Sequence, residues 1–120
     1  MDLLKRVAAH LKIQEDEAER GIGAVLMALR MSLPKETFER VKQGVPNCES
    51  MMGRALMSTS RTGEMLVVTG PSALLAALAA AGINKEDVPR LGSMVLEQVR
   101  AVIGAPAVTK FLETHPALKG

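Results

Sequence analysis

Three scarce side chains in the 120-residue sequence carry nucleophilic or metal-binding chemistry: Cys48, the single cysteine, and the histidines His10 and His115. Glu15 and Glu113 are the carboxylates that could join the histidines around a metal. Zinc motifs set ligand pairs at i, i+3 or i+4 and bring a third ligand from elsewhere. No such set forms here, so neither a metal site nor a cofactor is expected. Cys48 beside the helix start Asn47–Ser50 is the best nucleophile candidate, since a helix N-terminus lowers a thiol's pKa. The simpler expectation is a small, buried or half-buried thiol. Nucleophilic catalysis also needs a base and an orienting group. Ser58, Ser60 and Ser72 lie in no Gly-x-Ser-x-Gly elbow. Glu15/Glu19 and Glu36/Glu39 read as solvated helix faces. Glycine-rich phosphate cradles are absent too, and no enzymatic activity is expected.

The rest of the composition narrows the function classes further. Hydrophobic residues make up 48% of the chain, which excludes intrinsic disorder. Fifteen basic and thirteen acidic side chains leave a net charge of +2, too small for a general nucleic-acid footprint. Arg30, Lys35, Arg40 and Lys42 form a modest basic cluster, blunted by Glu36 and Glu39. The two aromatic residues, Phe38 and Phe111, provide no stacking platform for bases. A single Cys excludes an internal disulfide, and charges among the first apolar residues argue against a secretory signal. A cytoplasmic location is therefore expected. Met65–Asn84 carries no charge and has the length of a membrane span, but Gly70-Pro71 divides it and alanine dilutes it. A buried helix is the expected use.

Helical spacing dominates the elements that must hold these groups. Leu3, Leu4, Val7, Ala8 and Leu11 form one face of a short helix. Gln14-Glu15-Asp16-Glu17 opens a second, its carboxylates against the positive end of the helix dipole. Its stripe is Ala18, Ile22, Val25, Leu26 and Leu29, running to about Leu33, roughly 28 Å long. Pro34 starts a third helix with Phe38 and Val41 inward, stopped by Gly44 and Pro46. Asn47 caps a fourth, near Cys48 to Met57. Ser58 to Gly63 reads as a mobile polar loop, and Met65 to Val68 as buried coil or a helical turn. Pro71 opens a helix bearing Leu74, Leu75, Ala77, Leu78 and Ala81, and Gly82 ends it. Asn84 caps the next, with Val88, Leu91, Val95, Leu96, Val99 and Ile103 inward. Gly104 and Pro106 precede a last helix with Val108, Phe111 and Leu112. The tail from Thr114 to Gly120 reads as loose.

A shift of 70 residues brings the halves into correspondence: Leu4 with Leu74, Ile13 with Ile83, Arg20 with Arg90, Val25-Leu26 with Val95-Leu96, Arg30 with Arg100. A further slip of two or three residues aligns Pro34 with Pro106 and Phe38 with Phe111. A helical trio cannot bury its apolar face alone, whereas a packed second copy can cover it. The expected fold is one all-α domain over residues 1–120. It is a compact bundle of six or seven helices, built from two pseudo-symmetric three-helix halves (3–43 and 73–113) joined by a linker at 44–70.

The chain resembles the VcgC/VcgE-type family of uncharacterised bacterial proteins. The likeness is carried by Glu17-Ala18-Glu19, Ala24-Val25-Leu26, Leu33-Pro34 and Val45-Pro46. Its second block is Gly70 to Gly82, Ile83-Asn84-Lys85-Glu86, Val95-Leu96 and Phe111-Leu112. The first block is also similar to a group of helical-repeat domains in which a helix ends Leu-Arg-x-x-Leu-Pro. The resemblance implies an all-α fold with no assigned activity, and it transfers no catalytic residue. Some relatives are exported, but no signal segment is evident here. Gln14 stands where the family has a small cap residue, and Arg61 interrupts a linker that is commonly glycine-rich.

Eight methionines are the most unusual feature, with Met51, Met52 and Met57 clustered beside Leu56. Unbranched, polarizable methionine fills irregular core gaps and also suits adaptable binding surfaces. The functional expectation is a non-enzymatic protein-interaction or self-association module using Met51, Met52, Leu56 and Met57 as its surface, with a second copy or another protein as partner. The alternative is a small apolar ligand held between the two halves. Gly21, Gly23, Ala24 and Ala28, facing Gly92 and Ser93, would let the two long helices approach closely. Leucine at Gly21 or Ala24 is expected to overpack that contact.

Overall fold

In a computed structural model, residues 3–45, 48–59, 71–115 and 118 are described, with the side chains of 54–59, 71–73, 77 and 80 outside the description. Among the described residues, seven α-helices follow one another: α1 (Leu3–Leu11), α2 (Glu15–Ser32), α3 (Lys35–Gly44), α4 (Cys48–Thr59), α5 (Pro71–Ala80), α6 (Val88–Ile103) and α7 (Ala105–Thr114). One turn of 3-10 helix (Lys85–Asp87) leads into α6, and no strand occurs among the described residues. The fold is all-α, as the periodicity requires. Its radius of gyration, 12.7 Å, is that of a compact chain of this length.

The centre of the molecule is α2. Nothing between Gly21 and Leu29 is charged, and all nine residues are buried. A helix apolar on every side must be surrounded, and this one packs against α1, α3, α4, α5 and α6. The sequence stripe had assigned it one inward face. Its most extensive partner is α4, from the supposed linker, rather than α6. Cys48, Met51 and Met52 enter the core from α4.

Local geometry recurs seventy residues apart. α1 ends with Lys12 in the left-handed region (φ +57°), and the Ile13 N–H donates to Ala8 O at 3.1 Å. α5 ends with Gly82 (φ +90°), and the Ile83 N–H donates to Leu78 O at 3.0 Å. Both are Schellman closures, which satisfy helix-end carbonyls and turn the chain. Extended residues follow in each half, Gln14 before α2 and Asn84 before the 3-10 turn. The Gln14 N–H donates to the Glu17 carboxylate at 3.2 Å, half of the reciprocal cap that Gln14 can share with a glutamate at the third position. Packing is partly exchanged between the halves, α1 lying on α6 and α5 on α2. However, both third helices, α3 and α7, lie against α6.

Several sequence expectations change. Gly44 is the last residue of α3 and stops nothing through a left-handed turn; it is small because α6 presses on it. An added Cβ there would overlap Val102, and Gln98 Nε2 donates to Gly44 O at 3.1 Å while its Oε1 accepts from Arg6 on α1. Gly44→Ala is therefore expected to cost about 2 kcal/mol, because β-branched Val102 has little rotamer freedom in a helix. Urea unfolding checks this, with Val102→Ala in the same chain restoring most of the loss. α4 continues through Ser58 and Thr59, beyond the loop start that their polar side chains suggest. Two residues of the tail are docked, His115 at 2% exposed and Leu118 at 1%. Leu74 and Leu78 of α5 are buried, as is Ala81 just past its end, while Leu75 is exposed. Asn47, residues 60–63 of the polar loop and Met65–Val68 lie outside the described residues. Among those described, no helix is long and apolar enough to cross a membrane.

Candidate functional site

The α2–α3 corner and the start of α4 enclose a half-open groove of about 690 Å³. Met27, Leu33, Phe38 and Met52 form its apolar floor. Met27 lies in the last two turns of α2, Leu33 closes that helix, Phe38 comes one turn into α3, and Met52 one turn into α4. The opening is charged. Lys42 joins the two helices at one side, its Nζ 2.9 Å from Glu49 Oε1 and 3.3 Å from Glu39 Oε1. Those hydrogen bonds, Glu49 foremost, raise the Lys42 pKa, and Lys42 lowers that of Glu49. Arg30 and Lys35 line the groove beside the α2–α3 turn and have no ion-pair partner among the described residues. Gly53 lines it too, and an added Cβ there meets nothing within 4 Å.

The expected Met-rich surface is thus corrected in part. Met51 is 1% exposed and belongs to the core, so it presents nothing to a partner. Met52 is 7% exposed, on the groove floor. The side chains of Leu56 and Met57 lie outside the described residues. Burial follows from α4 packing along α2, which turns Cys48, Met51 and Met52 inward. Met27 and Phe38 are plainly apolar in the sequence, but nothing in their own spacing marks a site. Their signal was the basic cluster at Arg30, Lys35 and Lys42, which flanks them. Arg40 is exposed and does not line the groove. The supposed ligand space between the halves is closed where α2 meets α6, since Ile83 and Leu91 stand 3.0 Å from a Cβ built on Gly21.

The chemistry candidates remain apart. His10 is exposed on α1. His115 is buried, its ring stacked on Phe111 at 4.5 Å, with Nδ1 3.4 Å from Phe111 O and Nε2 without a partner among the described residues. No group of three His, Cys, Asp or Glu fit to hold a metal occurs among the described residues. Cys48 is buried, and its Sγ lies 3.8 Å from Met52 Sδ. Desolvation pushes its thiol up to about 11, with Lys42 lowering it in part and Glu49 raising it. The helix start does not activate it. Alkylation of Cys48 at pH 7.5 should run about a hundredfold slower in the folded protein than in urea, as the thiolate fraction alone dictates. Mass spectrometry of the iodoacetamide adduct measures it, and equal rates would contradict the burial.

The sequence profile of one family, described as a protein of unknown function VcgC/VcgE (DUF2780), matches residues 1–112. The chain belongs to this family. The VcgC/VcgE match therefore spans all seven helices up to Leu112 in α7, groove included. No curated protein and no solved structure matches the chain.

Proposed function

We propose that this VcgC/VcgE protein is a non-enzymatic protein-interaction module that takes apolar side chains of a partner into the α2–α3–α4 groove. The groove itself carries the reading: four apolar side chains converge at the base of an opening within the size range of ligand sites. Gly53 supports it. A glycine inside a helix is about 1 kcal/mol worse than alanine, and no neighbour among the described residues requires its small size. An open floor is the use that remains. The non-enzymatic part rests on Cys48, the best nucleophile candidate, being buried and held protonated.

Photo-crosslinking in cells tests the proposal. A photoreactive amino acid at position 53 should give a discrete protein adduct, and one at exposed Lys110 on α7 should not. Absence of an adduct from position 53, or the same adducts from both positions, would overturn it.

A further inference from the structure

We infer that the partner's contacting element is an amphipathic helix flanked by carboxylates and carried by a different protein, an inference that rests on the groove reading above. Charge complementarity selects the carboxylates. On the far side of the groove, Lys42 is already neutralised by Glu39 and Glu49. Beside the α2–α3 turn, Arg30 and Lys35 have no such partner among the described residues. Lys35 is also the first residue of α3. A cation there adds to the positive end of the helix dipole, against the usual preference for acidic groups. Glu36 in the same turn is exposed and does not line the groove. The positive field at this end is thus open to an outside anion.

Geometry selects the helix. A half-open trough floored by Met27, Leu33, Phe38 and Met52 matches the recognition mode in which a helix lays apolar anchors at i, i+3, i+4 and i+7 into a groove. Two methionines among four floor residues suit it to adapting around such anchors. A second copy of this chain is a poor occupant. Among the described side chains, the exposed large hydrophobic ones are Met31 and Leu75, which lie on different helices and form no common face.

The test is fluorescence-anisotropy titration of the full chain with synthetic peptides of about 14 residues bearing leucine at those four spacings. Their flanks are glutamate, lysine or serine. The glutamate peptide should bind tightest and weaken with added salt. Arg30→Glu with Lys35→Glu, both exposed positions, should weaken it about tenfold and make the lysine peptide the better ligand. Gly53→Phe should abolish binding of every peptide, with helicity by circular dichroism unchanged. Equal binding of all three peptides, unaffected by the charge reversal, would overturn the carboxylate inference while leaving the groove reading intact. Failure of every peptide to bind would overturn the groove reading itself. Concentration-dependent dimerisation abolished by Gly53→Phe would make a second copy the occupant and likewise overturn the inference.

Discussion

Gly21→Leu is expected to lower stability by about 3 kcal/mol, the upper end of the usual range for overpacking. A Cβ on Gly21 would already stand 3.0 Å from Ile83 Cγ1 and from Leu91 Cδ2, tighter than ordinary van der Waals contact. The remaining carbons of leucine would have to displace Leu91, which is fully buried on α6, or separate α6 from α2. Dense interiors do not absorb such a change locally. Urea unfolding should show the midpoint falling with the slope unchanged. Adding Leu91→Ala should recover part of the loss, since the two sites touch. An unchanged midpoint would mean that α2 and α6 do not meet at Gly21.

Leu118→Ala is expected to cost about 2 kcal/mol, at the low end for a buried leucine because a chain end can retreat into water. Leu118 closes over Gly92 on α6, where an added Cβ would lie 2.8 Å from Leu118 Cβ and 3.1 Å from its carbonyl oxygen. It also walls a smaller cleft of about 260 Å³ with Leu96, Val108 and Leu112. The melting temperature should fall by roughly 8 °C, since a chain of this size loses about 4 °C per kcal/mol. No change would mean that the tail is loose, as the sequence alone had indicated.

Helix punctuation was the most legible part of the fold. Pro34, Gly82, Gly104 and the acidic first turn of α2 all sit within a residue or two of a helix boundary. These residues act through local backbone geometry, which a sequence displays directly. The fate of each apolar face was less legible. Ala18, Ile22, Val25, Leu26 and Leu29 were read as one stripe, yet Gly21, Gly23, Ala24, Met27 and Ala28 between them are buried as well. Glycine and alanine fit an interior or a surface equally, so their burial depends on which helices arrive. Gly44 shows the same limit, because its role is set by Val102, 58 positions away on α6.

The candidate site was legible only in fragments. The basic residues Arg30, Lys35 and Lys42 stand out in the sequence, as does Met52, but nothing in their spacing joins Met52 to them. That join depends on α4 folding back along α2, a long-range contact that periodicity does not encode. The same contact moved Met51 from an expected surface into the core.

The most direct measurement of the central claim is a methyl NMR titration of the protein, labelled at methionine, leucine and valine, with the glutamate-flanked peptide. The methyl resonances of Met27, Leu33 and Met52 should shift together and saturate at one concentration, while that of core-buried Met51 moves least. Shifts centred instead on Leu96, Val108 and Leu112 in the α6–α7 cleft, or none at saturating peptide, would contradict the account.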